Sequence, residues 1–309
     1  MAEISIGAAV GEGFALIRKR PLSILAWGAL PLLVIAASFA VFAPFMMSFF
    51  SGALHGAASP GSPPNPLMIQ NMMRMQSLSY LVDLVGAAIN AVVYCAVFRA
   101  VLHPEAGRFA FLRVGAPEVM LFLLIVGGYL AFLIALVLAM IPVGIVVAIL
   151  IAAHAGPVAA IVGVIAGIAA LAAVIYVLLR ISLVGPMMVD DGKFHLTEAW
   201  ALTRGKVGGL FALGLLVLLI LIAAEIVVGL VFAALGFGVL GSLAGGLNNL
   251  PVFFQQPPNL ILSKLTPLLV VLALIWIPVM GCLLAITAAP WARAYRDLRP
   301  AGDISETFA

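Results

Sequence analysis

Three side chains stand where their chemistry is hardest to explain as ordinary surface. Glu225 lies near the middle of an apolar run, in Ile222-Ala223-Ala224-Glu225-Ile226-Val227. An ionisable group inside lipid is a functional suspect by default: it could carry a proton or a cation, or tie one helix to the next by a hydrogen bond. Asp83 stands one or two turns inside another apolar run. Asn90 follows two turns later on the same helical face, so the two could line a small polar cavity; capping or a water-facing place is the simpler reading of Asp83. A separate cluster, Asp190, Asp191, His195 and Glu198, offers metal-ligand types. Asp191-Gly192 reads instead as a turn and Thr197-Glu198 as a helix start, where an acid suits the helix dipole. Met46, Met47, Met68, Met72, Met73 and Met75 gather thioethers that could bind Cu(I), or form an adaptable apolar lip. Cys95 and Cys282 lie in apolar stretches as packing residues, and no Cys/His spacing matches a zinc or redox motif. Phosphate loop, nucleophile elbow, HExxH and haem motifs are absent. No catalytic residue, metal or cofactor is expected, and nothing suggests nucleic-acid binding.

The elements that must position these groups follow from composition. The 309 residues are 65% hydrophobic and 9% charged, with mean hydropathy +1.28. A soluble chain is about half apolar and about a quarter charged. There is too little polar surface to cover a water-facing globule, so lipid must be the solvent for most of the chain. In lipid every backbone polar group must be paired internally, which leaves helices or a closed barrel. A barrel would show alternating polarity over short strands; the long unbroken apolar runs predict helices.

Six spans are predicted, at about 22–45, 78–101, 119–152, 158–184, 210–235 and 260–289. The third exceeds the hydrocarbon thickness and must tilt, kink at Pro142 or protrude. A Gly/Ser/Pro/Asn-rich loop is expected over 51–66, a tight turn at His154-Ala155-Gly156-Pro157, and a glycine-rich tail after 235. The apolar run 22–50 is too long for a signal-peptide core, so an uncleaved first span is expected. Thirteen of the 15 Lys and Arg fall on the side of the N-terminus; Arg74 and Lys264 alone fall on the other. By the positive-inside rule both termini are cytoplasmic. Gly163-Val164-Ile165-Ala166-Gly167 fits close helix contact, within the chain or between two copies, the first being the simpler reading.

The segments before spans one, three and five look alike. They are Glu12-Gly13-Phe14-Ala15-Leu16-Ile17-Arg18, Phe109-Ala110-Phe111-Leu112-Arg113 and Glu198-Ala199-Trp200-Ala201-Leu202-Thr203-Arg204. Recurrence at a fixed period signals repeated architecture. The expected fold is all-α: six transmembrane helices as three hairpins, each led by a cytoplasmic interfacial helix, in a pseudo-threefold internal repeat. One integral membrane domain would fill 1–309, with repeats at about 1–101, 102–184 and 185–299 and a flexible tail over 300–309. In each interfacial helix the apolar side chains, such as Phe14, Leu16 and Ile17, would face acyl chains. Arg18, Arg113 and Arg204 would then sit at the lipid headgroups.

Arg180-Ile181-Ser182-Leu183-Val184-Gly185-Pro186, then Val189-Asp190-Asp191-Gly192 and Glu198–Gly205, resembles the membrane domain of bacterial glycerophosphodiester phosphodiesterases. It is also similar to stand-alone six-span proteins of the YciC type. Phe98-Arg99-Ala100-Val101-Leu102-His103-Pro104-Glu105 with Phe109–Arg113 looks like the matching cytoplasmic loop of alphaproteobacterial members. In the fused enzymes the chemistry belongs to a separate soluble barrel, whose metal-binding residues have no counterpart here. The resemblance implies a platform in the bacterial inner membrane: a place and a fold, and it assigns no reaction. The expected role is a non-catalytic scaffold or accessory protein touching membrane lipids, with other membrane proteins or self-association as further partners. The alternative is a small transporter or channel using Glu225 and Asp83. A transporter should gather Asp83, Asn90 and Glu225 around one cavity; a scaffold should scatter them and present an apolar groove.

Overall fold

The structure is a computed structural model, described over residues 4–54, 66–106, 109–249, 252–253 and 256–299. It is all-α, with no strand among the described residues and six helices long and apolar enough to cross a membrane. The helices are α1 (Ile6–Lys19), α2 (Pro21–Leu54), α3 (Pro66–Leu102), α4 (Ala116–Ala152), α5 (Gly156–Ile181), α6 (Val184–Asp191), α7 (Leu196–Leu202), α8 (Val207–Ala244) and α9 (Pro258–Leu298). Apolar periodicity is nearly absent from the long helices, because lipid accepts an apolar side chain on any face.

Most helices outrun the expected spans. α2 continues to Leu54, α3 begins at Pro66 and α9 runs on to Leu298. The supposed glycine-rich tail is also helical: Gly236, Gly238 and Gly241 lie inside α8, which ends only where Gly245 (φ 73) and Gly246 (φ 126) turn left-handed. There Gly246 N donates to Gly241 O at 2.7 Å, closing the last turn in the manner of a glycine-capped helix end. Hydropathy marks where lipid ends, but the hydrogen-bond ladder stops only at a residue that breaks it. The turn at 154–157 lies where expected, with His154 at φ 59 and α5 opening on Gly156-Pro157. The loop over 55–65 and the tail over 300–309 lie outside the described residues.

The last helix organises the bundle. α9 packs on α1, α2, α3 and α8, while α4 bridges α3 to α5 and α5 reaches α7 and α8. At the α2/α9 crossing the two backbones touch. A Cβ on Gly28 would fall 1.8 Å from Ile277 O, and one on Gly281 2.0 Å from Ile24 O. Only glycine allows that approach. Gly163 and Gly167, expected at such a contact, have nothing within 4 Å of the Cβ position, so they make no close contact within the chain.

The dense core sits at one end, among residues 9–27, 91–101, 179–217 and 284–298; Trp27, Leu183, Met188 and Leu213 are fully buried there. α4 buries nothing beyond Leu121, and α8 nothing beyond Val217. This packed end also carries every basic residue except Arg74 and Lys264, with Arg108 outside the described residues. α1 is docked into that core: Leu16 is buried against the bundle and Ile17 is half-buried, so of the three side chains expected to face acyl chains only Phe14 is exposed.

The three similar segments differ locally. The first is the 14-residue α1 and the third the seven-residue α7, whereas the second is a single 3-10 turn, Phe109–Phe111. Ala110 and Phe111 are left-handed (φ 55 and 60). Their carbonyls accept from Trp27 Nε1 (2.9 Å) and Arg99 Nη1 (3.1 Å), so side chains of α2 and α3 take the place of a helical ladder.

Candidate functional site

The intramembrane polar residues are not brought together. Glu225 is exposed on α8 and Asp83 exposed on α3, with Asn90 half-buried below it. α3 and α8 each pack on α9 and share no substantial contact of their own. The large groove described below is lined by none of the three. Arg18, Arg113 and Arg204 are all exposed at the basic end, as headgroup contacts must be.

What the fold does assemble is a set of polar junctions beneath the core. Arg99 forms an ion pair with Glu118, whose side chain is 2% exposed. The carboxylate also accepts from Gly115 N at 3.0 Å, fixing the start of α4. Arg20 lies 4.8 Å over the Phe111 ring and donates to Pro104 O at 2.8 Å. Asp190, on α6, accepts from Tyr295 Oη (2.9 Å), pairs with Arg299 (2.7 Å) and lies 3.3 Å from His103 Nε2. Glu12 of α1 faces Arg293 and Arg296 of α9, each at 3.5 Å. These junctions join elements distant in sequence, which is the work of structural ion pairs.

The acids once grouped as metal-ligand types part company. Asp190 turns to Tyr295 and Arg299, while His195 sits between Asp191 (2.7 Å) and Glu198 (2.8 Å). Gly192 (φ 73) ends α6, and Glu198 falls in the first turn of α7, as expected. Of the methionines, Met72 and Met73 are exposed and Met75 half-buried; the side chains of Met46, Met47 and Met68 lie outside the described residues. Cys95 is buried in the core and Cys282 half-buried.

Arg180 differs from the other buried charges. It is 6% exposed, at the end of α5, and no carboxylate pairs with it among the described residues. Its guanidinium lies 4.5 Å from the Trp200 ring centroid and 5.9 Å from that of Tyr176. Among the described residues its one hydrogen bond goes to Thr203 Oγ1 at 3.3 Å, and Nε has no partner there. The Thr203 hydroxyl also lies 3.2 Å from Arg180 O, and it is these contacts with Arg180 that pin the end of α7 beside α5.

Trp200 also closes one end of a groove of about 940 Å³ between α4 and α5. Small residues at helical spacing on α4 (Gly127, Gly128, Ala131, Ala135, Ala139) open it, and every lining side chain is apolar apart from the Trp200 indole N–H. The volume lies at the upper end of the roughly 300–1,000 Å³ typical of ligand sites. No sequence signal marks it: the small residues of α4 are scattered among large ones, and only the helical turn lines them up. Arg180 drew notice as a basic topology marker and as part of a resemblance, not as an unpaired buried cation.

Comparison with protein-family models, with curated proteins and with solved structures finds no match.

Proposed function

We propose that this chain is a non-catalytic scaffold or accessory protein of the bacterial inner membrane, with both termini cytoplasmic, contacting lipids and membrane partners. The observation that carries the reading is the dispersal of Asp83 and Glu225 over helices that do not adjoin, beside a wide groove lined by apolar side chains. A transport path needs polar groups in sequence around one passage. A docking platform needs exposed apolar relief and a rigid base; the polar junctions at the basic end supply the base. The thirteen-to-two division of basic residues supports the orientation.

Membership in the membrane-domain family of glycerophosphodiester phosphodiesterases and YciC-type proteins is part of the proposal. It rests on residues 180–205 with 98–105 and 109–113; within the first stretch Arg180, Trp200 and Thr203 meet in one junction. Flux measurements test the non-transporting reading. Vesicles holding the purified protein, under an imposed potassium diffusion potential, should pass protons and alkali cations no faster than protein-free vesicles. A flux present in the wild type and lost in Glu225→Gln would make the chain a transporter instead.

A further inference from the structure

We propose that the α4/α5 groove holds an acyl chain of one net-anionic glycerophospholipid from the leaflet at the basic end, with the lipid phosphate neutralising Arg180 beside Trp200. This rests on the reading of the chain as a lipid-contacting scaffold and narrows it to one groove and one class of lipid.

Two independent features point to the same occupant. The first is the groove itself. It runs along α4 from Met120, near the basic end, to Ala139, a distance of about 28 Å at 1.5 Å per residue. That stretch is close to the roughly 30 Å of the whole hydrocarbon core, so a chain from one leaflet, reaching about half that depth, takes the half nearest the basic end. On the facing helix it is bounded by Ala170 to Ile181. With no hydrogen-bonding side chain among its lining residues except the Trp200 indole N–H at one end, it suits an alkyl chain and disfavours a sugar, nucleotide or peptide. The second is the charge behind Trp200: Arg180 does not itself line the groove but stacks on the Trp200 ring that does, next to the lining residue Ile181. A cation taken out of water needs a counter-charge. Arg99 has Glu118. Arg180 has two aromatic faces and one neutral hydroxyl, so it uses one of five N–H donors.

The nearby charges do not cancel it. Asp191 and Glu198, the acids of the adjoining loop, both face His195. Lys193, next to the groove residue Phe194, is exposed and adds a further positive charge. A membrane phospholipid presents these complements in the right order: phosphate at the interface, chain running toward the bilayer centre. Arginine matches phosphate oxygens with a planar fork of donors. The uncompensated charge selects a net-anionic lipid over a zwitterionic one.

Native mass spectrometry provides the test. The protein is reconstituted into phosphatidylcholine vesicles containing a minor fraction of phosphatidylglycerol, then extracted in mild detergent. Wild type is expected to retain one phosphatidylglycerol, enriched over its share in the vesicles. Arg180→Gln should lower that retention about tenfold, the worth of a charge-assisted contact. Gly128→Phe should abolish it by filling the groove; nothing lies within 4 Å of its Cβ position, so the ring enters without displacing backbone. Arg74→Gln, at the opposite end, should retain lipid as wild type does. If Arg180→Gln does not stay monodisperse, Gly128→Phe decides. Retention of the two lipids in their vesicle proportions, or wild-type retention by Gly128→Phe, overturns the proposal. Either outcome leaves the scaffold reading intact, since only ion flux through the vesicles removes that.

Discussion

The charged side chains of this protein divide by what balances them. The Arg99–Glu118 pair sits where α3 ends and α4 begins, with the carboxylate almost fully buried. Taking both ions from water is costly, so the pair adds little net stability, yet removing one partner leaves an uncompensated buried charge. Arg99→Met should therefore destabilise by about 3–5 kcal/mol, and much of that should return in the double variant with Glu118→Met. Thermal unfolding in detergent of the two single variants and the double checks this. Losses that simply add would mean the two residues are not coupled. Little of this pairing was legible in the sequence. In the sequence Glu118 merely precedes the apolar run predicted from 119, and Arg99 counts only as a topology charge; the return of α4 against α3 is what makes them partners. The same limit hid Arg180, because being unpaired is a property of three-dimensional surroundings. Glu225 and Asp83 were conspicuous for the opposite reason. An isolated acid in an apolar run is visible in one dimension, but whether it meets another polar group is not.

At the scale of elements, lipid removes the periodicity that normally tells which helix face packs where. Six spans and their order follow from hydropathy, but helix ends and contacts do not. α8 shows the first failure: Gly236, Gly238 and Gly241 look like a loop, yet without competing water the ladder persists until Gly245 and Gly246 adopt left-handed angles. The glycines of the helix contacts show the second. Gly163 and Gly167 have the expected four-residue spacing and touch nothing, whereas Gly28 and Gly281, far apart and without a motif, hold α2 against α9. Gly281→Leu should then abolish a monodisperse protein, because its first side-chain atom meets the Ile24 carbonyl. Gly163→Leu and Gly167→Leu should change stability by no more than about 0.5 kcal/mol. Size-exclusion profiles and unfolding midpoints of the three variants decide it. If Gly163→Leu proved as damaging as Gly281→Leu, the contact assignment would be wrong.

Across the whole molecule, packing and charge are asymmetric in the same direction. The basic end carries the interlocked core, the ion pairs and the short helices α1, α6 and α7; the far halves of α4 and α8 are left to lipid. An even number of spans returns the C-terminal end of α9 to α1, and the Glu12 contacts to Arg293 and Arg296 seal that return. Arginines and lysines resist crossing the membrane, so the end that holds twelve of the fourteen among the described residues should be the one that never leaves the cytoplasm. Thiol labelling tests the orientation in a background where Cys95 and Cys282 are replaced by alanine. A membrane-impermeant maleimide applied to intact cells should modify Asn248→Cys, in the turn after α8. Lys193→Cys, at the basic end, should react only after the membrane is opened; both sites are exposed, so access and not burial decides the result. The reverse pattern would invert the protein in its membrane. It would also set the mouth of the α4/α5 groove in the outer leaflet, where Arg180 would meet the lipids of the opposite face.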